Sequence, residues 1–163
     1  MRALLLAAGL LVLTPAVAVA GPVAGVGPVE GEVHVRSVST GQCLTRPVEA
    51  GVVSGEACTP LDRQAWQLTA TDDLRVAITA AGTDLCLSHT DLDDVVTRPC
   101  DELDKPQAWR LVEQDNGYWL QATKDDAGMA WCLWHAADSQ YIGLQPCDGS
   151  VEGERWELPA FGS

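Results

Sequence analysis

Basic residues are scarce in this chain: ten lysines and arginines stand against 23 aspartates and glutamates, a formal net charge of −13 over 163 residues. So acidic a surface repels phosphate backbones and anionic headgroups, which makes nucleic acid a poor partner. The acids are scattered along the chain, and they read as a solvated surface. There is no Cys-x-x-Cys pair and the three histidines lack ligand spacing, so zinc does not explain the cysteines. No stretch sustains a helical period, which argues against helical folds. Glycine-rich phosphate loops and nucleophile elbows are also lacking, and nothing in the motifs calls for a cofactor. Beyond residue 20 no segment is apolar enough to cross a bilayer.

The chain does carry a leader pattern. Met1-Arg2 gives a short positive start, Ala3 to Val19 is almost wholly apolar, and Ala18-Val19-Ala20 fits small-x-small cleavage before Gly21. An uncleaved anchor is the alternative, but the run is short, contains Gly9 and Pro15, and lacks a basic stop-transfer flank. Residues 1–20 are therefore expected to be a secretory signal, with the product secreted or periplasmic. Gly21 is not a lipid acceptor. Residues 21–32, rich in glycine, proline and valine, read as a flexible spacer, and the rest of the chain is long enough for one domain.

One pattern then occurs three times: a Cys-Leu pair, a second cysteine 14 or 15 residues on, and a tryptophan. The copies are Cys43-Leu44…Cys58…Trp66, Cys86-Leu87…Cys100…Trp109 and Cys132-Leu133…Cys147…Trp156. A repeated sequence implies a repeated supersecondary unit. Six cysteines allow fifteen connectivities. Pairing Cys43 with Cys58, Cys86 with Cys100 and Cys132 with Cys147 gives every copy the same bond, worth up to about 3 kcal/mol each on the chain-entropy model.

Apolar residues alternate around each tryptophan, as in Trp66-Gln-Leu68, Trp109-Arg-Leu111 and Trp156-Glu-Leu158, which marks strands. Between Trp109–Val112 and Tyr118–Ala122, Asn116-Gly117 signals a hairpin, and Thr71-Asp72-Asp73 does the same before Leu74–Ile78. Val52-Val53, Val95-Val96 and Tyr141-Ile142 add a short strand to each copy. Three copies of about four strands are too few for a propeller, and end caps for a solenoid are not evident. A closed threefold arrangement buries Trp66, Trp109 and Trp156 together as core and leaves no open edge.

Gln64-Ala-Trp66 and Gln107-Ala-Trp109 are Gln-x-Trp signatures, and Glu154-Arg-Trp156 is a degenerate third. Together with Gly41-x-Cys43-Leu44 and a cysteine pair per repeat, the chain resembles the ricin B-type lectins. The resemblance implies an all-β β-trefoil over residues 33–159, with 160–163 as a tail, and a non-catalytic carbohydrate-binding role. In sugar-binding members each competent repeat has an aspartate two residues after the first cysteine, an aromatic two before the second, and an asparagine before the glutamine. Here those positions hold Thr45, Ser88 and Trp134; Glu56, Arg98 and Gln145; Arg63, Pro106 and Gly153. The fold carries over and the usual galactose-type site does not.

Aromatics instead gather in the third copy: Tyr118, Trp119, Trp131, Trp134 and Tyr141, with His135 among them. In strand alternation Trp131, Leu133 and His135 share one parity, Cys132 and Trp134 the other. Trp134, Tyr141 and His135 are expected to form an exposed shelf, with Asp138 as acceptor; the alternative is a bulkier third-lobe core. Weaker signals are Asp91, Asp93, Asp94 and Asp101, which lack the calcium-loop order, and Ser88-His89 with Asp91, which nothing positions as a triad. Val112, Tyr118 and Lys124 fit a loose cholesterol spacing that the hairpin also explains.

The resulting expectation is a secreted lectin-like module binding carbohydrate or glycoconjugate, with no catalytic role. A second reading comes from Val33 to Leu44 and the eroded sugar positions, which are similar to the cell-binding subunits of cytolethal distending toxins. It makes the chain a subunit for a secreted protein partner or a membrane. A trefoil protease inhibitor is a third, with no loop that singles itself out.

Overall fold

The computed structural model describes residues 31–71, 74–123 and 129–163. The described residues are all β, with 14 strands in one continuous sheet. The first repeat holds β1 (Glu32–Val33), β2 (Arg36–Ser37), β3 (Cys43–Thr45), β4 (Gly51–Val52), β5 (Ser54–Glu56) and β6 (Trp66–Ala70). The second holds β7 (Val76–Ala80), β8 (Leu85–His89), β9 (Val95–Pro99) and β10 (Ala108–Gln114). The third holds β11 (Gly117–Ala122), β12 (Trp131–His135), β13 (Ile142–Pro146) and β14 (Arg155–Glu157). Each repeat is a barrel strand, a hairpin and a second barrel strand. This is a β-trefoil, with the first repeat's opening strand and hairpin return each interrupted by a short break.

Register shows why the tryptophan repeats. Trp66 pairs with Val33 and Ala80, Trp109 with Val76 and Ala122, and Trp156 with Tyr118 and Ser37. Each therefore ties its own repeat to the next, and the last pairing closes the barrel on β2. Burial of an indole demands a partner for its N–H. Trp66, Trp109 and Trp156 donate to the carbonyls of Leu44, Leu87 and Leu133 at 2.9, 3.0 and 2.9 Å. The leucine of each Cys-Leu pair thus accepts from the tryptophan of the same repeat, and all six side chains are fully buried. The three disulfides are Cys43–Cys58, Cys86–Cys100 and Cys132–Cys147, with Cα separations of 5.0, 4.9 and 5.1 Å.

The hairpins cap the barrel by an interlock. Val52 pairs with Val96 in the next repeat, Asp94 with Gly143, and Tyr141 with Ser54. These are equivalent positions, so the contact passes from the first repeat to the second, to the third and back. Val53, Val95 and Ile142, each one residue further on, are buried at the centre.

The hairpin between β10 and β11 has Asp115-Asn116 as its two-residue loop, since Gln114 pairs with Gly117. The positive φ of +135° falls on Gly117, where a Cβ would meet the Trp156 carbonyl. The Thr71-Asp72-Asp73 turn lies partly outside the described residues, as do Lys124 and the whole leader. Of residues 21–32 only Gly31 and Glu32 are described; Glu32 pairs with Gln67. Residues 160–163 pack back on β1: Ala160 bridges Val33, Phe161 N donates to Glu32 O, and the His34 and Phe161 rings are 4.8 Å apart.

Candidate functional site

The loop before each repeat's last strand lies over the outer face of its hairpin. In the first repeat Gln64 holds that loop: its Oε1 accepts from Thr59 N at 2.7 Å, while Nε2 donates to Ala57 O and to Thr45 Oγ1. Gln107 does likewise, accepting from Asp101 N and donating to Pro99 O. Thr45 and Ser88, small and buried, fit beneath. Glu56 and Arg63, at the stacking and asparagine positions, pair with each other at 3.8 Å, and Ser54 Oγ donates to Glu56. An ion pair thus occupies the two positions to which the resemblance assigns sugar contacts.

The third repeat is built otherwise. Glu154 replaces the glutamine, is fully buried, and lacks the amide NH₂ that donates in the other repeats. Its oxygens accept from Gly149 N at 3.2 Å and from Gln145 Nε2 at 3.0 Å. The strand position that bears a stacking aromatic in sugar-binding relatives is thereby occupied in satisfying a buried carboxylate. Trp134 replaces the small residue beneath the loop. Its Nε1 donates to Glu152 O at 3.1 Å, and its ring lies against Gly153, where an added Cβ would sit 3.1 Å from Cδ1.

Tyr141 completes the surface. Trp134 pairs with Gly143 across the hairpin, and Tyr141 shares the parity of Gly143 on the neighbouring strand. The tyrosine ring crosses Gly143, where a Cβ would come within 2.6 Å of the hydroxyl. The two aromatic centroids are 6.2 Å apart at 67°, an edge-to-face pair. Tyr141 is 43% exposed and Trp134 half-buried. The Tyr141 hydroxyl points to Asp94 Oδ1 at 3.5 Å. Burial, with Asp94 and Asp93 nearby, raises the phenol above its ordinary value and keeps it a neutral donor. A shallow cavity of about 190 Å³ adjoins the indole's anchor, lined by Val38, Ser39, Glu152, Gly153 and Arg155.

The structure thus brings Trp134 and Tyr141 together and separates His135 from them. His135 is 1% exposed, on the inner face with Leu133, and its ring covers Gly55. Its Nδ1 and Nε2 face Thr40 Oγ1 at 2.7 Å and Ser139 O at 3.1 Å. The expectation of His135 on the shelf is therefore corrected: strand parity places it in the core. Asp138 is exposed in the β12–β13 loop with φ +62°, and the carboxylate bonded to the shelf is Asp94. Sequence reasoning missed Asp94 because it comes from another repeat, although it is the threefold equivalent of Tyr141.

The weaker signals do not assemble. Ser88 is fully buried, His89 faces the Thr123 and Thr90 carbonyls, and Asp91 is exposed. Among the described residues no group of three or more acids, histidines or cysteines gathers for a metal, and no helix is long and apolar enough to cross a membrane.

The family description "Ricin-type beta-trefoil lectin domain" matches residues 31–133, more than half of the chain. The chain belongs to this family. Its domains are non-catalytic carbohydrate-binding modules, so this lectin domain is a binding module and not an enzyme. The match ends at Leu133, the residue before Trp134. Among curated protein sequences none matches.

Solved structures agree on the fold. A GlcNAcα1-4Gal-releasing endo-β-galactosidase from Clostridium perfringens superposes with a TM-score of 0.70 at 12% identity over 80% of this chain; the lectin domain spans 33% of that enzyme. The β-trefoil lectin of the Vibrio vulnificus hemolysin/cytolysin, with N-acetyl-D-lactosamine bound, gives 0.63 at 17% identity, covering 82% of this chain and 96% of that one. SeviL, bound to asialo-GM1 saccharide, gives 0.63 at 14%, covering 80% and 97%.

Proposed function

We propose that this domain binds carbohydrate or glycoconjugate through the outer face of its third hairpin, with Trp134 and Tyr141 stacking on the sugar and Asp94 accepting from its hydroxyls. The carrying observation is the pair itself: two large rings on an outer face, given room by Gly143 and Gly153. A ring edge beside a carboxylate suits a saccharide, which presents C–H faces and hydroxyls together. The saccharides bound by the Vibrio lectin and by SeviL support the ligand class. Export, to the outside or the periplasm, is supported by the leader pattern of residues 1–20 and by three disulfides in one domain.

A glycan array with the oxidised domain, at moderate salt to suppress charge artefacts, tests the reading. Selective binding that Trp134→Ala abolishes while the fold stays intact supports it. A blank from folded protein sinks it, and unfolding of Trp134→Ala shows that the indole serves the core instead.

One observation favours a second reading, in which the trefoil docks on a protein or membrane as a toxin-like cell-binding subunit. The first repeat's sugar positions are closed by the Glu56–Arg63 pair, and the third repeat's by Gln145 and Glu154. A nuclease co-purifying from the native host, together with a blank array, would favour that role.

A further inference from the structure

Carboxylates flank one edge of the aromatic pair. Asp94 meets the Tyr141 hydroxyl, and the charges of Asp94 and Asp93 both reach that phenol. Asp94 is held there by the fold: its N–H donates to Thr90 Oγ1 at 3.3 Å, its carbonyl accepts from Thr90 N at 2.9 Å, and it pairs with Gly143. The opposite edge, by the Trp134 N–H, carries both signs, since Glu152 and Arg155 line the same cavity.

Ring faces and carboxylates act on a ligand's charge in the same direction. The faces of Trp134 and Tyr141 are electron-rich and attract a cation, as Asp94 does. A neutral sugar gains the stacking and a hydroxyl-to-carboxylate hydrogen bond, without attraction between opposite charges. A sugar ammonium placed at the Tyr141 edge gains that attraction as well, and a uronate or sialate is repelled.

We propose that the third-hairpin site selects amino sugars with a free ammonium over their N-acetylated or acidic counterparts, and that Asp94 is the residue that sets this preference. The proposal rests on the carbohydrate-binding reading above. Stacking then supplies affinity through Trp134 and Tyr141, and Asp94 supplies discrimination. As the Asp94 carboxylate is partly exposed, the discrimination is modest and weakens with salt.

Calorimetric titration of the oxidised domain with the glucosamine tetramer and the N-acetylglucosamine tetramer tests this. The expected result is binding of both, with the glucosamine tetramer about fivefold tighter at low salt. Asp94→Asn, close in shape and still able to accept from a hydroxyl, is expected to weaken the glucosamine tetramer more than the N-acetylated one and so to bring the two affinities together. Tyr141→Ala and Trp134→Ala, each checked for an unaltered melting curve, are expected to weaken both. That control separates the site from diffuse attraction of a polycation to a chain of net charge −13. Equal affinities in the wild type, or a preference that survives Asp94→Asn, overturn the proposal and leave the carbohydrate reading standing. Binding of neither tetramer overturns it too, and the glycan array decides whether the broader reading falls with it.

Discussion

The first two repeats and the third hold the same loop over the same hairpin face with different chemistry. Gln64 and Gln107 both donate and accept, so one side chain ties the loop to the strand. Glu154 has no amide NH₂, and its oxygens accept from Gly149 N and Gln145 Nε2, so the donor in the third repeat comes from Gln145. Small residues lie under the loop in two repeats, an indole in the third. A single loss of donor capacity thus reaches into the sugar-binding positions: the strand side chain is committed to the carboxylate, and the aromatic surface arises at 134 and 141 instead. Threefold packing inside coexists with asymmetry outside because the inner contacts run through backbone carbonyls and indoles that all repeats share.

Breaking the shared part should cost most. Trp156→Ala and Trp66→Ala are each expected to destabilise by about 3–5 kcal/mol in denaturant unfolding, since each empties a core position and orphans a leucine carbonyl. Markedly unequal losses would show that the core is less threefold than its hydrogen bonds.

The differing part should be sharper in pattern and smaller in size. Gln145→Ala is expected to cost about 1–3 kcal/mol by leaving a buried carboxylate oxygen without its donor. Arg98→Ala, at the equivalent exposed position of the second repeat, should change stability by at most about 0.5 kcal/mol. In a Glu154→Gln background the cost of Gln145→Ala should shrink, a non-additivity that a double-mutant cycle reads directly.

Acid should weaken the fold through His135. Burial holds its folded pKa below the ordinary value, opposed in part by the hydrogen bond to Ser139 O. The unfolded chain therefore takes up the proton first. The stabilisation is full above about pH 6.5 and is lost as pH falls through the folded value. His34, lowered by burial and then by Arg36, adds a decline of the same sign. His135→Gln should flatten the drop in unfolding midpoint between pH 7 and 5 without abolishing it.

Gly143→Ser, which copies Ser54 of the first repeat, should cost about 1 kcal/mol or less, because the group in its way is the far end of Tyr141. Its effect should fall on ligand affinity, through displacement of the tyrosine ring.

The fold was legible because its physics is periodic. Cysteine, leucine and tryptophan recur because every repeat needs the same disulfide and the same indole-to-carbonyl bond. The site was half legible. Strand alternation separates Trp134 from Leu133, and the same alternation, followed through, removes His135 from the surface. Asp94 was beyond reach, since its approach to Tyr141 depends on which hairpin leans on which, and no local pattern carries that. Nor does the sequence show that Gln145 donates to Glu154: the pair is nine residues apart and meets only once the loop has folded back.

Beyond the last strand, Phe161 N donates to Glu32 O at 2.8 Å. The described ends of the chain are thus hydrogen-bonded neighbours, and the ring of repeats has no privileged first member. A circularly permuted protein, joined there by a short linker and reopened between β6 and β7, would keep every pairing of the hairpin cap. The order in which the three lobes are translated is then a matter of gene layout and not of architecture.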